Sequence, residues 1–272
     1  MGDLTRAQSW LEGQENLSRF GLFLDFDGTL AEIVDRPGDA RPMEGIREIL
    51  NKLGDQLPLA VISGRDGRDL RDRLQVDPIF LAGSHGLEVI DREGNRSEPP
   101  QAREILDELD RAEQWLRRRF DLDEDLEVER KRFGIALHYR RKPEMERELL
   151  GIVMAKARAS DGLKVGRGKK VVELQPALDW DKGTALARIY QAIEAEGHST
   201  IPIYIGDDLT DEDAFREAKR RGGEAILVTS MALKRETAAT LYLANPKEVR
   251  EFLYRFYDRL VHEGKGAPAV GR

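Results

Sequence analysis

The sequence predicts an α/β protein: a Rossmann-like core of parallel strands, interrupted by a smaller inserted α+β cap. Three observations predict it. Short apolar runs of strand length alternate with helical periods, the mark of successive βαβ units. Several of those runs end in carboxylates, glycines or a small hydroxyl residue, where open α/β sheets place their ligand sites. Beyond Pro99-Pro100 the pattern changes to helix, strand, strand, and then repeats that unit.

Taken in order, the first twenty residues are expected to form an extra amphipathic helix with Trp10, Leu11, Leu17 and Phe20 on its apolar face. Strands follow at 21–26, 58–62 and 79–82, with helices at 43–53 and 66–74. In the middle, Ile105, Leu109, Ala112 and Leu116 keep a helical stripe, and 126–131 and 134–140 alternate as strands. A helix over 144–159 and a strand pair at 163–165 and 169–174 complete that section. The core resumes with a helix at 182–195, a strand at 202–206, a helix at 211–219 and a strand at 224–228. The last residues, 264–272, are expected to fray. The expected division is therefore core 1–95, cap 96–175 and core 176–272.

With 272 residues, 40% of them hydrophobic, the chain can build a core, and 35% charged residues give it a well-solvated surface. A net charge of −7 argues against nucleic acid as a partner. The absence of cysteine excludes disulfides, thiolate metal sites and thiol nucleophiles. No apolar run reaches membrane-spanning length and the first residues lack the pattern of a secretory signal, so no membrane association and a cytoplasmic location are expected.

Four segments carry the chemistry. In Leu22-Phe23-Leu24-Asp25-Phe26-Asp27-Gly28-Thr29-Leu30, an apolar strand ends in two carboxylates that alternation puts on one side. Two acids that close imply a bound cation, a shared proton, or both. Val61-Ile62-Ser63-Gly64-Arg65 ends a second strand in a hydroxyl and a tight turn able to hold a phosphate oxygen at a helix N-terminus, though Ser63 could equally be a helix cap. In Asp181-Lys182-Gly183-Thr184 a lysine stands at a helix start, against the dipole preference, which something anionic nearby would explain. Ile205-Gly206-Asp207-Asp208-Leu209-Thr210-Asp211 ends another strand in acids fit for a hard divalent cation. In the cap, Glu129 with Lys131, His138 with Arg140, and Lys169 with Glu173 share the faces opposite the apolar ones. That charged face is either solvated or a lid over a polar substrate.

The four motifs in this order resemble the haloacid dehalogenase-type phosphohydrolases over nearly the whole chain. The resemblance implies Asp25 as the nucleophile that takes up phosphorus and Asp27 as the acid and base. Ser63 and Lys182 would orient the transferring group, and Mg2+ would be held among Asp25, Asp27, Asp207, Asp208 and Asp211. Within that superfamily the chain is most similar to the trehalose-6-phosphate phosphatase family, through Gly83-Ser84-His85-Gly86-Leu87-Glu88, Glu129-Arg130-Lys131, His138-Tyr139-Arg140 and the run from Lys169 to Pro176. This implies substrate contacts from Glu129, Lys131, Arg140, Lys169 and Glu173, with Thr29, Gly64, Arg65 and His85 contributing from the core. It implies a sugar phosphate as substrate, a monomer, and a separate trehalose-phosphate synthase as a functional companion. The rival expectations are a phosphatase for another glycosyl phosphate, a sugar phosphomutase, and a non-catalytic sugar-phosphate sensor.

Overall fold

The structure is a computed structural model that describes residues 4–120, 123–168, 170–230 and 236–266. Before the cap, the chain runs through strands β1 (Thr5–Arg6), β2 (Phe20–Leu24), β3 (Leu59–Ile62), β4 (Phe80–Gly83), β5 (Glu88–Ile90) and β6 (Arg96–Ser97). The cap adds β7 (Glu127–Lys131), β8 (Gly134–His138), β9 (Leu163–Gly168) and β10 (Val171–Pro176). The core then closes with β11 (Ile201–Gly206), β12 (Glu224–Val228) and β13 (Leu241–Leu243). Helices α1 (Ala7–Glu12), α2 (Ile46–Gly54) and α3 (Gly67–Leu74) belong to the first part, and α4 (Pro100–Glu104), α5 (Leu106–Phe120) and α6 (Glu146–Arg158) to the middle. The last part holds α7 (Lys182–Ala195), α8 (Glu212–Arg220) and α9 (Pro246–Gly266).

The large sheet runs β1-β13-β12-β11-β2-β3-β4-β5-β6, parallel from β1 through β4 with an antiparallel edge of β5 and β6. From β2 the chain builds outward on one side through β3 and β4, then returns to the other side for β11. The carboxyl ends of β2 and β11 are therefore a topological switch point. Alternation divides the apolar residues between two layers. Leu22, Leu24, Val61, Ile203 and Ile205 pack with α1, α2 and α9, while Phe23, Ala60, Ile62 and Tyr204 pack with α7 and α8.

The cap is a four-stranded antiparallel sheet, β7-β8-β10-β9. One face packs Val128, Ile135, Leu137, Val172 and Leu174 onto Leu109, Ala112 and Leu116 of α5 and onto Leu149 and Val153 of α6. The tip between β7 and β8 docks on the core. There Phe133, 1% exposed, packs with Leu87 and Ala102 and against Leu178 and Trp180. Beside it the Arg132 N–H donates to Asp66 Oδ2 at 3.1 Å.

Several boundaries differ from expectation for local reasons. The first twenty residues do not form one helix: α1 stops at Glu12, Asn16 takes a left-handed conformation, and Leu17–Arg19 form a 3-10 turn into β2. Leu11, Leu17 and Phe20 nonetheless join the core, with Trp10 against it. Helix α2 starts at Ile46, because Gly45 sits at φ +84. The large sheet extends past residue 95 to take in Arg96–Ser97. Helix α9 was not foreseen, although Val249, Phe252, Leu253, Phe256 and Leu260 form its buried stripe. The expected fraying of 264–272 falls mainly on residues outside those described.

Candidate active site

Hydrogen bonding aligns the strand ends. The Asp25 N–H donates to Ile205 O at 2.8 Å and the Ser63 N–H to Ala82 O at 2.8 Å, so the first turns after β2, β3 and β11 lie side by side. Two glycines set how closely they approach. A Cβ on Gly28, at φ +87, would lie 2.3 Å from Asp207 Oδ2, and a Cβ on Gly206 would lie 2.3 Å from Asp211 Cγ. Only a residue without a side chain lets these carboxylates fold in against the backbone.

Lys182 ties the turns together. Its Nζ donates to Asp25 Oδ1 at 2.7 Å and to Asp211 Oδ1 at 2.8 Å. Its place at the start of α7 follows from the neighbours. Asp181 caps the helix by accepting from the Thr184 N–H at 2.8 Å. Gly183 lets α7 approach α8, where a Cβ would meet Asp213 O at 2.6 Å. Asp211, fully buried, also accepts from Tyr204 Oη at 2.7 Å and from the N–H groups of Asp207 and Asp208 at 3.0 and 2.9 Å. With both oxygens so engaged, Asp211 is an anchor for the turn that presents Asp207. Asp208 caps that turn through the Leu209 N–H at 2.7 Å.

Asp25, Asp207 and Asp211 bring one carboxylate oxygen each within 4.8 Å of one another. Among the described residues, the Lys182 ammonium is paired with two of these carboxylates, Asp25 and Asp211. Burial lifts the Asp25 pKa well above the usual range, and Asp211 and Asp207 add to this against the pull of Lys182. The Lys182 pKa is raised although burial opposes it, because Asp211 and Asp25 hold the ammonium charged. A cluster of this charge and all-oxygen donor set fits a hard divalent cation. Neither Asp27 nor Asp208, both expected in that cluster, belongs to the group of three: both Asp27 oxygens accept from Arg65, at 2.7 Å each, and Asp208 is the cap of its turn.

Of the other core residues, Ser63, Gly64 and His85 line the cavity that opens over these turns. A Cβ on Gly64 would lie 2.7 Å from the His85 ring, so the imidazole rests directly on that turn. Thr29 is fully buried and does not line the cavity. Arg65 lines it, but its side chain is only 6% exposed and its guanidinium is turned to Asp27, Asp69 and the Pro37 carbonyl.

The cap supplies the roof. The cavity measures ≈320 Å³, within the range of small-molecule sites. The charged cap face forms its upper wall, with Glu129, Lys131, Arg140 and Glu173 all lining it; Lys169 lies outside the described residues. Small cross-strand neighbours, Ala136 and Gly166, flank Glu173 and leave room above the core. Glu173 accepts from Lys131, His85 and Gln175, so the His85 contact at 3.1 Å joins cap to core. Burial would raise the Glu173 pKa, but Lys131 and His85 outweigh it and hold it well below the usual range. Glu129 pairs with His138 at 2.8 Å. Gln175, Lys164 and Trp180 also line the cavity and were not foreseen. Alternation from Glu173 reaches Gln175, and the β9–β10 register reaches Lys164 opposite it, but nothing in the local pattern marks Trp180.

A parallel sheet with acids at its switch point and an inserted α+β cap over them is the architecture of the haloacid dehalogenase-like hydrolases. Two solved structures share the fold: a "trehalose-6-phosphate phosphatase related protein" (TM-score 0.75, 24% identity, 89% of this chain and 99% of that one) and the C-terminal domain of the Candida albicans trehalose-6-phosphate phosphatase (TM-score 0.75, 22% identity, 94% and 98%). The family model for trehalose-phosphatase matches residues 23–247. The trehalose-phosphate phosphatase of Mycobacterium marinum is 40% identical over 267 residues, covering 96% of this chain and 67% of that protein. The chain belongs to the trehalose-phosphatase family and is a phosphoric monoester hydrolase. It spans about two thirds of the length of such curated relatives. Among the described residues no helix is long and apolar enough to cross a membrane.

Proposed function

We propose that this chain is a Mg2+-dependent phosphatase that hydrolyses trehalose 6-phosphate to trehalose and phosphate through an aspartyl phosphate on Asp25. The observation that carries the reading is the position of Asp25: buried at the switch point, held by Lys182, and directly under a polar cap. In the first half-reaction an Asp25 carboxylate oxygen bonds to phosphorus while the bond from phosphorus to the sugar oxygen breaks. Asp27 gives its proton to that oxygen as it leaves. In the second, water bonds to phosphorus, its proton passes to Asp27, and the phosphorus–Asp25 bond breaks to release phosphate. Ser63 and Lys182 orient the phosphoryl oxygens and offset their charge. Mg2+, held by Asp25 and Asp207 with Asp211 and Asp208 shaping the turn, supplies further positive charge for those oxygens.

Residues 96–175 act as the specificity cap. Glu129, Lys131, Arg140 and Glu173 hydrogen-bond the sugars, and closure excludes bulk water. The test is phosphate release with Mg2+ from trehalose 6-phosphate, sucrose 6-phosphate, mannosyl-3-phosphoglycerate, glucosylglycerol phosphate and glucose 6-phosphate, with Asp25→Asn as control. Dominant turnover of trehalose 6-phosphate, lost in the variant, is expected. Preference for another ester overturns the substrate, and unchanged turnover by Asp25→Asn overturns the nucleophile.

A further inference from the structure

The guanidinium of Arg65 borders the cavity but is committed inside the protein. Nε and Nη2 each donate to Asp27 at 2.7 Å, Nη1 donates to Asp69 at 3.0 Å, and Nη2 also donates to Pro37 O at 2.9 Å. Four of its five N–H groups are thereby used. The group also lies over the Phe26 ring, 5.3 Å from its centroid. An arginine that served to bind phosphate would turn its fork to the cavity; this one turns the fork to Asp27. Its supports come from three segments. Asp69 lies on α3 and is gripped in turn by Arg73, Pro37 belongs to the loop after the first motif, and Phe26 lies between the two aspartates. Asp27 itself keeps 35% of its side chain exposed on the cavity wall. The pair is thus a fixed cation behind an accessible carboxyl group.

We propose that Arg65 is a positioning residue that sets the carboxyl of Asp27 toward the sugar oxygen leaving phosphorus, and that it makes no contact with the substrate. The inference rests on Asp27 being the proton donor of the proposed reaction. In the first half-reaction, orientation of Asp27 matters only where the leaving group must be protonated. A sugar alkoxide needs that proton as its bond to phosphorus breaks, whereas p-nitrophenolate departs as an anion and needs none. A defect in positioning therefore depends on the leaving group, and a general loss of structure does not.

The test is a rapid-quench measurement of the first turnover, following alcohol release from trehalose 6-phosphate and from p-nitrophenyl phosphate. It compares wild type with Arg65→Gln, Arg65→Lys, Asp69→Asn, Asp27→Asn and the double variant Asp27→Asn/Arg65→Gln. Arg65→Gln is expected to slow sugar release about 100-fold or more and p-nitrophenolate release less than about 5-fold. Asp69→Asn, which loosens Arg65 from the half-exposed side, gives a smaller loss with the same split, so the test survives a Gln variant that does not fold. Added to Asp27→Asn, Arg65→Gln costs less than about 2-fold more, because the two residues act as one unit. Equal slowing of both esters, or losses that multiply in the double variant, overturn the inference. If Asp27→Asn shows the split and the Arg65 variants do not, Arg65 alone is misassigned. If Asp27→Asn itself shows no split, the role of Asp27 fails and the inference with it.

Discussion

Lys182→Ala removes the cation that bridges Asp25 and Asp211, and its cost follows from the geometry. The three side chains are 4%, 5% and 0% exposed, so the pair is a buried one. Breaking a buried pair by removing one partner costs about 3–5 kcal/mol, because the other charge stays buried without it. For a chain of this size about 1 kcal/mol moves Tm by about 2–4 °C, so the variant should melt about 6–20 °C lower in the presence of a chelator. The deficit has a pH sign. Burial already raises the Asp25 pKa, so protonation relieves the repulsion, and the loss should be smaller at acidic than at alkaline pH. A divalent cation should restore part of the stability, by about 2.7 kcal/mol at a hundredfold excess over its dissociation constant. The assay is thermal unfolding followed by circular dichroism, with chelator and with Mg2+, across a pH series. A Tm within about 3 °C of wild type in chelator would refute the picture of two buried acids, Asp25 and Asp211, balanced on one lysine.

Three further outcomes are expected. Gly28→Ala, which drives a Cβ to 2.3 Å from Asp207 and strains a backbone at φ +87, should destabilise the protein by about 1–3 kcal/mol and weaken Mg2+ binding, read by calorimetry. Glu173→Gln should flatten the acid limb of the stability curve. The folded Glu173 pKa is depressed, so its contribution is present above the usual glutamate value of 4.5 and is lost as pH falls below it, a dependence visible in urea titrations of both proteins. Phe133→Ala should cost about 3–5 kcal/mol and raise the KM for the sugar phosphate more than it lowers kcat, since it unseats the tip that carries Lys131; Phe133→Leu should restore most of both.

The strand ends were legible because apolar runs that stop at Asp25, Ser63 and Asp207 carry both the sheet and its chemistry in consecutive residues. The charged cap face was legible because alternation is a local rule: Glu129, Lys131 and Glu173 need only the pleat, and the same rule reaches Gln175, which the sequence reading missed. What escaped depended on distance in space. Nothing near Arg65 in sequence tells that its fork closes on Asp27, thirty-eight residues away, rather than on a ligand. Thr29 shares the first motif but turns into the core, because the chain leaves the strand conformation after Leu24 and folds back, with Phe26 O accepting from the Leu30 and Ala31 N–H groups. The three-residue strand β13 and the two-residue strands β1 and β6 are too short to show a period, and pair only because longer neighbours present an edge.

The proposed reaction turns on Asp25 becoming covalently bonded to phosphorus, and acid quenching of the first turnover tests that directly. The Asp27→Asn variant, lacking the group proposed to activate water, is mixed with Mg2+ and p-nitrophenyl phosphate, whose leaving group needs no proton, then quenched in acid and digested for mass spectrometry. A phosphoryl group is expected on the peptide containing Asp25, formed in step with the p-nitrophenolate released and absent from Asp25→Asn. Release of p-nitrophenolate and phosphate together, with no phosphopeptide at any time during the turnover, would overturn the covalent step.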